Sequence, residues 1–182
     1  MSGPYILISP PLTRELTQMS KEELFAYRDW FHSVMAERTE QLSRLVAGTH
    51  AFSAWKPDLT PESLSDLGEW FRGEAESRSR TAAVDIPVEE LTDRTLSLVY
   101  DIGMYFGRVV VASVPGTHWD QPIRNKRFAD YGHPVIMGFG RVPMNPVRIA
   151  KTLAYAFAAH EESGDGLRKV FDVWNEMRDA KG

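Results

Sequence analysis

A long apolar helix followed by a short sheet, both within residues 88–140, constrains the fold of this chain more than any other stretch. Pro87 is expected to start the helix, and apolar residues then recur at helical spacing through about Val111. Gly103 and Gly107 lie four positions apart and therefore share one helix face, although each glycine costs a helix interior about 1 kcal/mol relative to alanine. We expect a second backbone, in a sheet or a crossing helix, to approach this face closely.

Two short strands are predicted after this helix. Pro115-Gly116 is a turn signal, and residues 117–120 and 134–139 have the composition of strands. We expect these two segments to pair as a small antiparallel sheet. Residues 5–8 are also β-prone, but the prolines at positions 10 and 11 close that run, so it is either an edge strand or an extended arm lying on the core.

Four further helices are marked by their caps and their apolar periodicity. Ser20 and Glu23 have the spacing of a capping box, and an amphipathic pattern follows as far as Gly48. Thr60-Pro61 and Asn145-Pro146 each place a capping side chain before a proline, which is the arrangement that begins a helix. The last helix is predicted from residue 167 to about residue 178.

The remaining segments complete the fold prediction. Residues 74–80 are polar and are predicted to be a solvated helix end and linker, while the last helix should bury apolar side chains that include Met177. We predict an α+β fold, a mostly helical single domain with about five helices and a small antiparallel sheet. Its parts are an arm or edge strand at residues 1–19, a helical half at 20–80, and the central helix, sheet and C-terminal helices at 87–182.

Composition limits the classes of function. The chain has 182 residues, of which 43% are hydrophobic and 25% charged, and this is typical of a globular domain. Its net charge of −4 does not favour nucleic acid, and the absence of cysteine excludes disulfides and thiolate chemistry. The N-terminus has no basic leader, and Asp101 and Arg108 interrupt the most apolar helix. We therefore expect a cytoplasmic protein that does not enter a membrane.

Motifs for catalysis are not found in the sequence. The five histidines do not have metal-ligand spacing, and no acidic cluster accompanies them; they are His32, His50, His118, His133 and His160. A nucleophile elbow, a phosphate-binding loop and a complete dinucleotide fingerprint are also missing. We predict no catalytic residue, no metal site and no cofactor, and the balance favours a protein that is not an enzyme.

The polar connection at residues 120–133 is the strongest candidate for a binding surface, because it is long and places cations beside aromatic side chains. Arginine and aromatic residues dominate binding hot spots. The alternative is that Phe128 anchors this loop in the core and that its cations are merely solvated. The predicted partner-binding residues are Trp119, Arg124, Lys126, Arg127, Tyr131 and His133.

Several structural motifs together resemble a known group of domains. They are the sequence LTPESL at residues 59–64 before Trp70-Phe71, the sequence YFG at 105–107 before Trp119, and Pro146 at a late helix start. In this order they resemble an uncharacterised family of bacterial α+β domains, some of which are similar to immunity proteins encoded beside polymorphic toxins. Such domains often carry glutamate after the glycine of the central helix, whereas this chain has Arg108.

Three functions follow as hypotheses. The first, which the resemblance implies, is a non-enzymatic protein that binds another protein, with a cognate bacterial toxin as its partner and no role for nucleic acid or a membrane. The second is a small-molecule-binding protein or an enzyme, with a pocket near Tyr105, Trp119 and His133 that His118 could also reach. The third is a structural subunit that forms a homo-oligomer through the face of Gly103 and Gly107.

Overall fold

The computed structural model describes residues 4–81 and 87–179 and confirms a mostly helical α+β fold. This part of the chain forms five α-helices and two antiparallel pairs of strands. The helices are α1 (Lys21–Gly48), α2 (Ser63–Glu74), α3 (Asp93–Ser113), α4 (Pro146–Ala158) and α5 (Gly166–Asp179). The strands are β1 (Ser77–Thr81), β2 (Pro87–Leu91), β3 (His118–Asp120) and β4 (Val135–Met137).

Helix α3 lies at the centre of the molecule and packs against α1 and α4. Within the described residues it is the one helix that is long and apolar enough to cross a membrane, but most of its apolar window is buried inside the protein. Its side chains contribute Leu98, Ile102 and Phe106 to the main core, to which α1, α2, α4 and α5 also contribute. The apolar character of α3 is therefore that of a core helix.

The glycine face of α3 receives another helix, as the sequence predicted. A Cβ atom on Gly103 would lie 2.7 Å from Cα of Val147 at the start of α4, and one on Gly107 would lie 2.4 Å from the ring of Trp119. No side chain fits at either position without movement of a neighbour. Because this face is filled within the chain, it is not available for contact with a second copy.

The predicted start of α3 at Pro87 is wrong, and so is the predicted linker at residues 74–80. Strand β1 pairs with β2 in antiparallel register, with Ser77 opposite Leu91. Helix α3 begins only at Asp93, since Thr92 is its N-cap and accepts a hydrogen bond from the amide of Thr95 at 3.2 Å. A proline at the first position of a strand is as acceptable as one at a helix start, so Pro87 alone does not distinguish the two.

The other helix starts agree more closely with their caps. Ser20 and Glu23 form the predicted capping box of α1, and Asn145 caps α4 by accepting from the amide of Arg148 at 3.0 Å. Helix α2 begins at Ser63, later than Thr60-Pro61, although Thr60 Oγ1 still accepts from the amide of Ser63. The caps at Ser20 and Asn145 were therefore predicted correctly, whereas Thr60 is not the N-cap of α2, since Glu62 occupies that position.

Helix α5 packs its apolar side against the main core, where it contacts α2 and α4. Phe171 is buried, and the ring of Trp174 meets that of Phe139 edge to face at 5.0 Å between centroids. Met177 was expected to be buried but is 38% exposed. It lies in the last turn of the helix, where fewer neighbours surround a side chain.

Strands β3 and β4 form the predicted antiparallel sheet, with Trp119 opposite Ile136. Residues 5–8 do not join it; they belong to an extended N-terminal arm (residues 4–12) that lies across α1 and α3. The amide of Ile6 donates to Gln41 Oε1 at 3.3 Å, and the amide of Ile8 donates to Ser97 Oγ at 2.8 Å. Side chains therefore satisfy the amides that a neighbouring strand would otherwise bind.

Candidate functional site

The basic loop (residues 120–133) connects β3 to β4 and has a fixed backbone. Nε2 of Gln121 donates to the carbonyl oxygens of Leu24, at 2.8 Å, and Gly132, at 2.9 Å. The amide of Gly132 also donates to the carbonyl oxygen of Pro122 at 2.8 Å, which joins the two ends of the loop. The loop is thus a closed structure that is tied to the first turn of α1.

Tyr131 holds this loop to the body of the protein. It is 5% exposed and packs in a small core with Leu16, Met19, Leu24 and Tyr27. Its prediction as a partner-binding side chain conflicts with this position, because a buried ring has little surface to offer. The expected anchor, Phe128, is instead 39% exposed.

The cations of the loop differ in their surroundings. Nζ of Lys126 donates to the carbonyl oxygen of Thr17 at 2.8 Å and so fastens the loop to the segment before α1. Arg124 and Arg127 are exposed and make no ion pair with any residue that the structure describes. Arg141, just beyond β4, is also exposed and unpaired within the same residues. Three guanidinium groups are therefore free to meet a partner.

A buried carboxylate joins the loop to α4. Asp130 is 7% exposed, and its Oδ1 accepts from Nδ2 of Asn145 at 2.8 Å and lies 2.9 Å from Nη2 of Arg148. The same Arg148 nitrogen donates to the carbonyl oxygen of Ala129 at 2.6 Å. Sequence reasoning identified Asn145 only as a helix cap. The spacing of 15 residues between the two partners gives no local signal of their contact.

The exposed ring of Phe128 stands between two surface depressions. The larger one, which we call the loop groove, has a volume of about 490 Å³ and is bordered by Arg124, Arg141, Met137 and Pro143. The smaller one, of about 300 Å³, lies on the side of the segment before α1. An aromatic ring between grooves, with arginines beside it, can act as an anchor in an interface.

The side chains of the predicted pocket do not come together. Tyr105 is fully buried in the main core, where its hydroxyl lies 2.8 Å from Ser63 Oγ, and burial raises its pKa. Trp119 packs edge to face against Phe31, at 5.5 Å between centroids, and is only partly exposed. His118 is exposed on β3. Of the residues expected to converge, His133 is the one that lines a large cavity.

That cavity, the arm cavity, has a volume of about 650 Å³ and lies between the N-terminal arm, α3 and the start of α4. His133 is half-buried there, and burial lowers its pKa, assisted by the charges of Arg148 and Lys151. Its lining residues are Leu7, Ile8, Pro10, Tyr27, Asp93, Leu96, Ser97, Val99, Tyr100, His133, Pro134, Asn145, Val147, Arg148 and Lys151. The cavity combines an apolar wall with a few polar groups.

A buried ion pair, which the sequence analysis did not predict, holds the arm over this cavity. Nε and Nη2 of Arg38 donate to the two carboxylate oxygens of Asp101 at 2.7 and 2.8 Å, and the Tyr5 hydroxyl donates to the same carboxylate at 2.6 Å. Arg38 also donates to the carbonyl oxygen of Ile6 at 2.8 Å. Burial raises the pKa of Asp101, while the hydrogen bonds from Arg38 and Tyr5 oppose that rise.

Neither a metal-binding cluster among the described residues nor a similarity to known proteins points to a further site. Within residues 4–81 and 87–179, no group of three histidine, aspartate or glutamate side chains lies close enough to hold a metal ion. No match was found among protein-family models, curated proteins or solved structures. The structure thus defines a mostly helical α+β domain with an ordered, cation-bearing loop and a separate cavity. These two features are the candidates for a functional site.

Proposed function

We propose that this protein is a non-enzymatic binding protein whose basic loop contacts another protein. The observation that carries the proposal is the pair of exposed side chains of Arg124 and Arg127, which have no ion-pair partner among the described residues, on a loop whose backbone is fixed. A fixed loop loses little conformational entropy on binding, so more of the contact energy remains as affinity. Phe128, with 39% of its surface exposed, supplies an apolar anchor beside the cations.

Charge indicates the kind of partner. The whole chain carries a net charge of −4, yet Arg124 and Arg141 border the loop groove together with Asp120, and Arg127 is exposed on the same loop. Complementary charge speeds association and selects among partners. The matching surface is an acidic patch on a protein, because three free cations are few for the phosphate backbone of a nucleic acid.

The sequence resemblance suggests which acidic protein this is. Some members of the group that the chain resembles are similar to immunity proteins, so we propose a cognate bacterial toxin as the partner and the bacterial cytoplasm as the place of action. An immunity protein of this kind neutralises its toxin by covering a surface of it. Such a role requires shape and charge in the loop and no reacting group.

Co-expression with each protein encoded by the genes that neighbour this one tests the proposal, which requires one of them to be the toxin. We expect the two proteins to purify as a complex and the wild-type chain to restore growth of the bacterial host. The double variant Arg124→Ala/Arg127→Ala should restore growth poorly, while the matched control Lys56→Ala, which changes an exposed lysine between α1 and α2, should act as the wild type. Neither complex nor rescue by the wild type would refute the proposal.

A further inference from the structure

The arm cavity has the size and walls of a site for a small molecule. Its volume of about 650 Å³ falls within the range of about 300–1,000 Å³ that is usual for ligand sites. Leu7 and Ile8 of the arm form one wall, and Leu96 and Val99 of α3 form another. The arm is fixed by hydrogen bonds to the buried Arg38 and Ser97, so this wall is part of the folded structure.

Neutral hydrogen-bonding groups lie within these apolar walls. The hydroxyls of Tyr27 and Tyr100 interact with each other, and burial raises the pKa of both. His133 also lines the cavity, and burial lowers the pKa of its imidazole, an effect that Arg148 and Lys151 assist and Asp130 opposes. Tyr100 and His133 can donate or accept hydrogen bonds there, whereas Tyr27 is only 2% exposed.

The charges on the rim favour an anion. Arg148 and Lys151 lie three residues apart on α4 and therefore on one helix face. Lys151 makes no ion pair with any described residue, whereas Asp93, the one carboxylate among the described lining residues, already has a partner. A negatively charged group entering from this side would meet the exposed Lys151, since Arg148 is already paired with the buried Asp130.

We propose that the arm cavity binds a small organic carboxylate with an apolar body. The apolar part lies between the arm and α3, the carboxylate meets Lys151, and the Tyr100 and His133 side chains bind polar atoms in between. This site is separate from the surface proposed for the protein partner, since Arg124 and Arg127 do not line it. It also differs from the pocket first predicted near Tyr105 and Trp119.

Binding of 2-naphthoate, an aromatic carboxylate that fits this volume, tests the proposal, with the uncharged 2-naphthamide as its matched probe. Nuclear magnetic resonance titration of the ¹⁵N-labelled protein should shift the amide signals of residues that line the cavity, such as His133 and Val147. We expect the amide to bind about two- to fivefold more weakly than the acid, because an exposed ion pair is lost.

Two variants locate the site. Leu96 is 37% exposed and lines the cavity, so Leu96→Trp should narrow it and weaken binding without unfolding the protein. Lys151→Gln should weaken naphthoate about two- to fivefold and leave naphthamide unchanged, while the control Lys56→Gln changes neither. Arg124→Ala/Arg127→Ala should also leave naphthoate binding unchanged, which keeps this test independent of the partner surface.

Three results would overturn the inference. The first is no signal shift in the wild type at about 1 mM naphthoate, a concentration that detects even weak affinity. The second is equal binding by Leu96→Trp, which places the probe elsewhere. The third is equal binding of acid and amide together with no effect of Lys151→Gln, which removes the role of charge.

Discussion

Arg38 and Asp101 show how much of this molecule depends on one pair of side chains. Both are buried, and together with Tyr5 they connect α1, α3 and the arm. Removing one partner of a buried ion pair leaves the other charge uncompensated, which costs about 3–5 kcal/mol. We therefore expect Arg38→Met to lower the free energy of unfolding, measured by urea denaturation, by about this amount.

The matched control for that change lies on the same helix. Arg44 is exposed and pairs with Glu40, so Arg44→Met should cost less than about 1 kcal/mol. Equal losses for the two variants would contradict the importance given to the buried pair.

Tyr131 and Arg127 were predicted to serve the same surface, but the structure assigns them different roles. Tyr131→Ala should destabilise the protein by about 3–5 kcal/mol, because it empties the small core beneath the basic loop. Arg127→Ala should change stability by less than about 0.5 kcal/mol, since its side chain is exposed and unpaired within the described residues. Thermal or urea unfolding of the two variants distinguishes these expectations, and a stable Tyr131→Ala protein would show that the ring does not hold the loop.

His133 makes stability depend on pH. Its folded-state pKa is lowered, first by burial and then by Arg148 and Lys151, whereas in the unfolded chain it titrates near 6.5. The contribution of His133 to the free energy of unfolding is therefore complete above about pH 6.5. It is lost as the pH falls from there through the lower folded-state pKa. Wild type should lose more thermal stability than His133→Gln between about pH 7.5 and pH 5. Equal losses of thermal stability in the two proteins would contradict this role of His133. The pKa of His32 is also lowered, but its effect is the same in both proteins.

Among the elements, the crossing of α3 and α4 is the most sensitive to a single methyl group. Gly103→Ala would place Cβ 2.7 Å from the backbone of Val147, so α4 would have to move. We expect Gly103→Ala to lower the free energy of unfolding by about 1–3 kcal/mol, as other substitutions that overpack a core do. Gly73→Ala on α2 is the control, because nothing lies within 4 Å of its added Cβ, and it should be neutral or slightly stabilising. A neutral Gly103→Ala, measured by urea denaturation, would show that α4 adapts easily.

Elements with local signals were predictable from the sequence, and elements defined by distant contacts were not. The capping box at Ser20 and the cap at Asn145 act within three residues, so α1 and α4 begin where expected. Strand β2 depends on its pairing with β1, a tertiary contact that overrides the helix-like start at Pro87. The arm likewise depends on Arg38 and Asp101, which are 63 residues apart.

At the scale of the whole molecule, the candidate site was predicted only in part. The cluster of cations in residues 120–133 was visible in the sequence, and the structure leaves Arg124 and Arg127 exposed there. Burial of Tyr131 and the position of His133 in a cavity depend on segments that meet only in the folded chain. Composition identifies residues that are capable of binding, but tertiary packing decides which of them face solvent.

The central claim is that the basic loop binds an acidic protein partner. Its most direct test uses the partner that co-expression identifies. Titration calorimetry then measures the dissociation constant of that complex for wild type, Arg124→Glu/Arg127→Glu and Lys56→Glu. Like charges placed opposite each other cost several kcal/mol, so the loop variant should bind about 100-fold more weakly or worse, and Lys56→Glu should match the wild type. Equal affinity of all three proteins would contradict the claim.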